Sequence, residues 1–412
     1  MYTEARGAHA DTQLGREARE LLKSCVHCGF CLEACPTYRV LGDERDSPRG
    51  RIYLIKQMVE GGPATAAVRH LDRCLTCRAC EPACPSGMQY GRLLEIGREI
   101  VEESAVRPRT GRLARRLLTR VATSPRLFAG LLALARALRP ALPARYAASI
   151  PPMAPAPGAW PTPRHARRMT ILDGCVQPAI APGINAAAAR VLDRMGVSLV
   201  RIASAHCCGA LAHHLGDEAG ALDAARRTLI ACAAALDRGD EAIVSTASGC
   251  GVMVKDYGRL LRSHPELAAT AERVAAATRD LAEVVDPAAL RRLRPDGTPR
   301  STVAFQAPCT LQHGQGLTGH VERLLEAAGH RLAPVADGGL CCGSAGSQSI
   351  LQPTLARELR DRKVGSLLEG APTAIATANI GCLAHLAAAS PVPVHHWIEL
   401  VDAAIADCAP GR

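Results

Sequence analysis

Two cysteine runs of identical spacing near the N-terminus constrain this chain more than any other feature. Each reads Cys-x-x-Cys-x-x-Cys-x-x-x-Cys-Pro, from Cys25 to Pro36 and from Cys74 to Pro85. A tight loop with a thiolate at every third position can bind three irons of a [4Fe–4S] cubane, and the fourth cysteine of each run then binds the cluster of the other run. The predicted ligands are Cys25, Cys28, Cys31 and Cys84 for the first cluster and Cys74, Cys77, Cys80 and Cys35 for the second.

Structural zinc is the alternative metal for these runs, because zinc also binds paired Cys-x-x-Cys motifs. A zinc ion takes four ligands, so the third cysteine of each triple and the trailing Cys-Pro would have no role. The first 24 residues carry charges throughout and lack the apolar segment of a secretory signal, which predicts a cytoplasmic protein. Disulfides are rare in that reducing compartment, so metal ligation is the leading use for the 18 cysteines.

The charge is concentrated in one segment of the chain. The formal net charge is +10, yet residues 107–168 hold 13 arginines and no acidic residue. Within this segment an amphipathic stretch, residues 107–146, predicts one of three roles: peripheral contact with an anionic membrane surface, docking on an acidic partner, or packing as a linker helix. Aromatic residues make up only 3% of the chain, which argues against nucleic acid as a partner.

The C-terminal part of the chain is an internal repeat. Cys175, Cys207 and Cys208 recur 134 residues later, and Cys250 recurs as Cys382 after 132 residues. In each copy an apolar run leads to the first cysteine, an amphipathic stretch ends at a glycine, and a second apolar run leads to the last cysteine. Strands that alternate with helices in this way predict two small α/β domains with cysteines at the strand ends.

The repeated cysteines have two interpretations. They could bind a further metal centre or act in redox chemistry, or they could be simply buried, since free cysteine is among the most buried residue types. Cys232 and Cys408 have no counterpart in the repeat and are interpreted as packing residues, and His206 is not favoured as a ligand. The eight candidates are Cys175, Cys207, Cys208, Cys250, Cys309, Cys341, Cys342 and Cys382.

These patterns predict an α+β multidomain fold. A helical two-cluster ferredoxin-type domain is expected at residues 1–106, and an Arg-rich helical segment with a Pro-rich linker at 107–167. Two repeated α/β domains are expected at 168–298 and 299–412, and each contains a Cys-Cys-Gly (CCG) triplet. They are called here the first and the second CCG half.

Several longer motifs resemble the iron–sulfur subunit of glycolate oxidase. They are the run from Cys25 to Cys31, the stretch from Pro48 to Lys56, and the segments that end at Gly251 and Cys382. The same domains are similar to those in subunits of heterodisulfide reductase and of anaerobic glycerol-3-phosphate dehydrogenase. The resemblance implies that flavoprotein partner subunits carrying FAD oxidise glycolate to glyoxylate. This chain would then be an electron carrier without a substrate site, passing electrons toward a quinone or other acceptor in the cytoplasm or at the inner face of the cytoplasmic membrane.

One departure from the related sequences concerns the end of each CCG half. Domains that build an unusual noncubane cluster end in Cys-x-x-Cys, whereas Ala247 and Asn379 stand at the first of those positions here. Four cysteines per half therefore replace five, which disfavours a catalytic cluster. Reduction of a disulfide or quinone at the CCG halves remains the rival function, and a docking module without metal is a third.

Overall fold

The computed structural model describes residues 1–4, 6, 9–143, 147, 150–202, 207–294 and 300–406. The chain forms two compact units. The N-terminal unit comprises Met1–Arg116 and Gly339–Lys363, and the C-terminal unit comprises Leu117–Gly338 and Val364–Arg412. His206 and Cys408 lie outside the described residues.

Helices build the N-terminal unit. Ser47 caps α3 by accepting a hydrogen bond from the Gly50 amide, and Pro48 occupies the first turn, where its missing N–H costs nothing. Ile55, Leu71 and Leu93 are fully buried and belong to one core that joins α3, α4 and α5. The helices are α1 (Gln13–Lys23), α2 (Pro36–Leu41), α3 (Pro48–Val59), α4 (Thr65–Arg73) and α5 (Tyr90–Glu103).

Two amphipathic helices, α6 (Arg109–Ala122) and α7 (Pro125–Leu138), follow. Residues 151–165 after them adopt no helix or strand, as the proline content predicts. Among the described residues, no single helix is both long and apolar enough to cross a bilayer. The pair Arg109–Ala122 and Pro125–Ala141 meets the length and composition requirement together, but it bends by 98°.

The first CCG half contains a four-stranded parallel sheet in the order β2-β1-β3-β4. Its strands are β1 (Arg167–Leu172), β2 (Val197–Arg201), β3 (Ile243–Ser245) and β4 (Thr278–Asp280). Its helices are α8 (Gln177–Ile180), α9 (Gly183–Arg194), α10 (Ala210–His214), α11 (Glu218–Asp237), α12 (Ser248–Lys255), α13 (Tyr257–Leu260), α14 (Pro265–Ala277), α15 (Leu281–Val284) and α16 (Pro287–Leu293).

The second CCG half repeats this arrangement with the parallel order β6-β5-β7-β8. Its strands are β5 (Thr302–Gln306), β6 (Arg331–Leu332), β7 (Ala374–Thr377) and β8 (Val394–His396). Its helices are α17 (Cys309–Gln312), α18 (His320–Ala327), α19 (Gln348–Leu351), α20 (Pro353–Leu368), α21 (Ile380–Ala387) and α22 (Trp397–Ala406). The predicted fold class, helical domain followed by duplicated α/β domains, is confirmed.

The two sheets share one hydrophobic core in the C-terminal unit. Leu192 of α9, Leu324 of α18 and Trp397 of α22 all belong to it and are almost completely buried. Arg190 on α9 also donates two hydrogen bonds to Oδ2 of Asp402 on α22, at 2.8 and 2.6 Å. The halves are therefore fused through a common interior.

One segment of the second half groups with the N-terminal unit. Gly339–Lys363, which carries the second CCG triplet, belongs to that unit by its contacts. Within it, the Gln348 amide donates to the backbone oxygens of Asp72 and Cys74, at 2.6 and 3.1 Å. The compact units thus do not follow the repeat boundaries, and the four sequence segments stay a prediction.

Candidate metal centres

The two cysteine runs adopt matching loop conformations. His27 and Gly29 in the first run have φ angles of 56° and 88°, and Thr76 and Arg78 at the same positions of the second have 51° and 60°. Left-handed backbone is unfavourable for residues other than glycine and is maintained where the surrounding structure requires it. Both loops therefore contain left-handed residues at the same two positions.

A small cavity lies beside the first loop. It is lined by Cys25, Cys28 and Cys31 of the first run, and also by Cys84, the last cysteine of the second run. Cys80 contributes to the wall as well. The structure thus brings together the four residues that the sequence assigns to the first cluster.

The other four cysteines also approach one another. Burial raises the pKa of Cys80 well above its usual value, and the thiolates of Cys77, Cys74 and Cys35 raise it further. Burial likewise raises the pKa of Cys35, with an added contribution from Cys77, which belongs to the other run. Each set therefore contains three sulfurs from one loop and one from the other.

The chemistry of these sulfurs fits iron–sulfur clusters. Burial raises the pKa of Cys31 to about 11, so the free thiolate is unfavourable in this environment. A bound metal offsets that cost because cysteines ligate as thiolates. Cys25, Cys28, Cys31 and Cys84 would hold one [4Fe–4S] cluster, and Cys74, Cys77, Cys80 and Cys35 the other. Such clusters supply one-electron redox chemistry.

The surroundings of the second set are polar. Tyr90, 4% exposed, donates from its hydroxyl to Cys74 Sγ at 3.5 Å. The Thr37 hydroxyl lies 3.2 Å from Cys35 Sγ, and Arg51 Nη1 donates to the same sulfur at 3.9 Å. Sequence reasoning missed these three residues, although Arg51 lies inside the Pro48–Lys56 stretch that carries the family resemblance.

The two loops differ in exposure. Val26 and Phe30 of the first loop are both 68% exposed, whereas Leu75 and Ala79 at the same positions of the second are 4% and 7% exposed. Cys28 is exposed as well. The first set is therefore the one that solvent or another molecule can approach directly.

Another group of potential ligands, Asp43, Asp46 and His70, has atoms close enough to bind an ion. Asp46 is already paired with Arg51, His70 and Arg73, at 3.4, 3.0 and 2.7 Å. Two guanidinium groups beside the shared carboxylate oppose the binding of a metal cation.

In the first CCG half the four cysteines meet in two pairs. Cys175 hydrogen-bonds to Cys207, which raises the pKa of Cys175 and lowers that of Cys207 to about 7. Cys208 hydrogen-bonds to Cys250, and this bond, together with burial, raises the pKa of Cys208. The predicted gathering at strand ends is observed here, because Cys175 follows β1 and Cys250 follows β3.

In the second half, Cys309 begins α17 and Cys382 lies on α21, again after central strands. Asn379 donates from its side-chain amide to Cys382 Sγ at 3.7 Å. Cys341 and Cys342 lie in the segment that groups with the N-terminal unit.

The backbone conformation and close packing of each CCG triplet require its glycine. Gly209 and Gly343 have φ angles of 85° and 84°, and each amide donates to Sγ of the first cysteine of its triplet at 3.5 Å. A Cβ on Gly209 would lie 2.8 Å from the carbonyl oxygen of Ala221, and one on Gly343 2.6 Å from that of Ala356. Only glycine therefore fits between the triplet and the helix behind it.

Cys232 is completely buried in a core of the first half, and burial raises its pKa to about 12. Among the described residues burial is the cause of that shift, and Cys232 stays interpreted as a packing residue.

Comparison with known proteins identifies the domains of the chain. The model of the 4Fe-4S dicluster domain matches residues 21–88, and the model of the cysteine-rich CCG domain matches residues 169–255 and 303–387. These matches define a class of iron–sulfur proteins in which a dicluster domain precedes two cysteine-rich domains.

Named relatives narrow the class. The chain is 47% identical over 390 residues to the glycolate oxidase iron-sulfur subunit of Escherichia coli (strain K12), covering 94% of this chain and 95% of that protein. It is 29% identical over 403 residues to a probable glycolate oxidase iron-sulfur subunit of Bacillus subtilis (strain 168), covering 88% and 87%. Lactate utilization protein A of Geobacillus kaustophilus matches 53% of this chain at 26% identity, over 92% of its own length. The chain belongs to the family of glycolate oxidase iron–sulfur subunits.

Proposed function

We propose that this chain carries electrons within a glycolate-oxidising complex. Flavoprotein partner subunits bearing FAD oxidise glycolate to glyoxylate, and the chain passes the electrons toward a quinone or other acceptor through two [4Fe–4S] clusters. The observation that carries the proposal is the gathering of eight N-terminal cysteines into two sets of four, each drawn from both runs. The relation to the E. coli subunit supports glycolate as the substrate.

The composition of the complex provides the direct test. The chain purified anaerobically with its partner subunits should contain about eight irons and eight sulfides, because each cubane has four of both. Glycolate should then reduce the clusters, so that the signal of reduced [4Fe–4S] clusters appears in the electron paramagnetic resonance (EPR) spectrum, and the chain alone should not respond to glycolate. A preparation that binds only zinc, or clusters that glycolate leaves oxidised in the intact complex, would contradict the proposal.

The rival function, reduction of a disulfide or quinone at the CCG halves, requires a further centre there. Iron well above about eight per chain would favour it. The paired sulfurs Cys175–Cys207 and Cys208–Cys250 would supply ligands or a dithiol. The docking role without metal predicts instead that Cys207→Ala and Cys341→Ala impair assembly of the complex and leave its redox behaviour unchanged.

The proposal extends to the location of the chain, at the inner face of the cytoplasmic membrane. Leu127, Leu131, Leu134 and Leu138 repeat along one face of α7 and are 41% to 55% exposed. Residues 107–146, of which 144–146 lie outside the described part, carry arginines and no acidic residue. Exposed leucines beside arginines match an anionic lipid surface.

Vesicle binding tests this location. The full chain should co-sediment with vesicles containing phosphatidylglycerol and much less with phosphatidylcholine vesicles, and Leu131→Glu with Leu134→Glu should abolish the binding. Ile230→Glu, at another exposed apolar residue, is the control. Equal binding to both vesicle types, or none, would favour an acidic protein partner or a plain linker helix.

A further inference from the structure

The first turn of α3 is built tightly against the short 3₁₀ helix before it, Glu44–Asp46. A Cβ on Gly50 would lie 2.0 Å from the Glu44 carbonyl oxygen, so this turn approaches as closely as only glycine permits. The consequence is that Asp46 and Arg51, one on each element, face each other in the interior.

Arg51 is a buried cation beside the second set of cysteines. It is 1% exposed, and its Nε donates to the His70 carbonyl oxygen at 2.8 Å. Its Nη1 donates to Cys35 Sγ at 3.9 Å, and its Nη2 lies 3.4 Å from Asp46 Oδ1. The guanidinium is thus fixed on three sides with one edge directed at a predicted ligand.

The carboxylate of Asp46 does not neutralise this region. Asp46 also pairs with Arg73 at 2.7 Å, so two guanidinium groups share a single carboxylate. Arg98 adds a third cation, since its Nη2 donates to the carbonyl oxygen of Cys74 at 2.9 Å. Glu81 lies near Cys80 but is paired with Arg78 at 2.7 Å. The guanidinium groups of Arg51, Arg73 and Arg98 therefore leave an excess of positive charge beside the second set.

The first set has a different environment. Arg49, two residues before Arg51, donates from Nη1 to the His27 carbonyl oxygen at 3.3 Å. Its guanidinium pairs with Glu44 at 2.8 Å, and its side chain is 32% exposed. One glutamate near solvent thus balances Arg49, and the Met1 ammonium, which donates to the Cys25 carbonyl oxygen at 3.2 Å, adds one cation at the first loop.

We propose that Arg51 raises the reduction potential of the cluster bound by Cys74, Cys77, Cys80 and Cys35. An added electron makes a cluster more negative, and a fixed buried cation next to a ligand sulfur stabilises that state because the surrounding dielectric is low. The Tyr90 hydroxyl bond to Cys74 Sγ acts in the same direction. The inference rests on the proposed ligand sets.

Redox titration followed by EPR tests the inference on the full chain with its clusters. In a Cys28→Ala background, which removes a ligand of the first cluster, the remaining signal reports the second cluster alone. Arg51→Gln should lower the midpoint potential of the second cluster. Arg51→Lys keeps the positive charge and should therefore keep the potential close to the wild-type value. Arg49→Gln is the matched control from the same helix turn and should leave this potential nearly unchanged.

A second variant keeps the inference testable if Arg51→Gln does not fold. Arg73, which is 18% exposed, carries another of these positive charges. Arg73→Gln should therefore lower the potential of the second cluster by a smaller amount than Arg51→Gln does. The inference is overturned if iron-loaded Arg51→Gln has an unshifted potential. If only Arg73→Gln folds, an unshifted potential in that variant overturns it instead. Either result leaves the proposed function standing. Failure of the wild-type chain to bind iron overturns the proposed function itself.

Discussion

Replacing the glycine of the first CCG triplet by alanine should destabilise the C-terminal unit strongly. Gly209 has a φ angle of 85°, where an alanine costs about 1–2 kcal/mol of backbone strain. Its Cβ would also lie 2.8 Å from the Ala221 carbonyl oxygen, and overpacking of this kind costs about 1–3 kcal/mol. The two terms together predict a loss of about 3 kcal/mol in the free energy of unfolding.

Gly196→Ala separates the two contributions. Gly196 has a φ angle of 81°, but no atom of the described residues lies within 4 Å of a Cβ built there. This variant should therefore lose only the backbone term, about 1 kcal/mol.

Tryptophan fluorescence in urea measures these effects in the C-terminal unit alone, because both tryptophans, Trp160 and Trp397, lie in it. With a slope of about 3 kcal/mol per M of urea, Gly209→Ala should lower the unfolding midpoint by about 1 M and Gly196→Ala by about 0.3 M. Equal midpoint shifts in the two variants would refute the argument that the close approach to Ala221 requires glycine.

Two buried titratable side chains and one buried hydroxyl give further predictions, which the same fluorescence assay can measure. Burial raises the pKa of Asp280 from 3.8 to about 6. Its contribution to stability is therefore present below pH 4 and lost as the pH rises through 6. The stability of wild type relative to Asp280→Asn should fall by about 3 kcal/mol over that range. Burial lowers the pKa of His396 to about 4 from 6.5, so its contribution is present above pH 6.5 and lost as the pH falls through 4. Wild type should therefore lose about 3 kcal/mol relative to His396→Gln on acidification, and parallel pH profiles for either pair would contradict the assignment. Tyr257→Phe removes the hydroxyl donor to the Cys208 carbonyl oxygen at 2.8 Å and should cost about 1 kcal/mol, whereas an unchanged midpoint would mean that this bond contributes nothing.

Sequence patterns predicted the local elements and the repeat well. The apolar runs at Met169–Leu172 and Thr302–Phe305 lie within β1 and β5, and the amphipathic stretches before Gly196 and Gly329 lie on α9 and α18. These features could be predicted because hydrophobic periodicity and helix-end signals depend only on residues that are close together in the sequence.

Features that depend on distant neighbours could not be predicted. The segment Gly339–Lys363 groups with the N-terminal unit, although the repeat assigns it to the second half. Val26 and Leu75 occupy the same position of the two runs, yet one is exposed and the other buried. The position of Arg51 at Cys35 likewise depends on the packing of α3 against the preceding turn, which no spacing rule encodes.

The ligand sets also illustrate what a motif can specify. Spacing alone predicted the exchange of the fourth cysteine between runs, because a tight loop cannot enclose a cubane completely. The surrounding polar groups, such as Tyr90 at Cys74, were invisible to that reasoning because they come from α5 and not from the runs.

Crosswise sharing of the fourth cysteines is tested most directly by the iron content of two double variants. Cys28→Ala with Cys84→Ala removes two ligands of one predicted cluster, so the chain should keep about four irons. Cys77→Ala with Cys84→Ala removes one ligand from each cluster and should leave almost none. If the first double variant lost nearly all its iron and the second kept about four, each run would bind its own cluster, contradicting the crosswise arrangement.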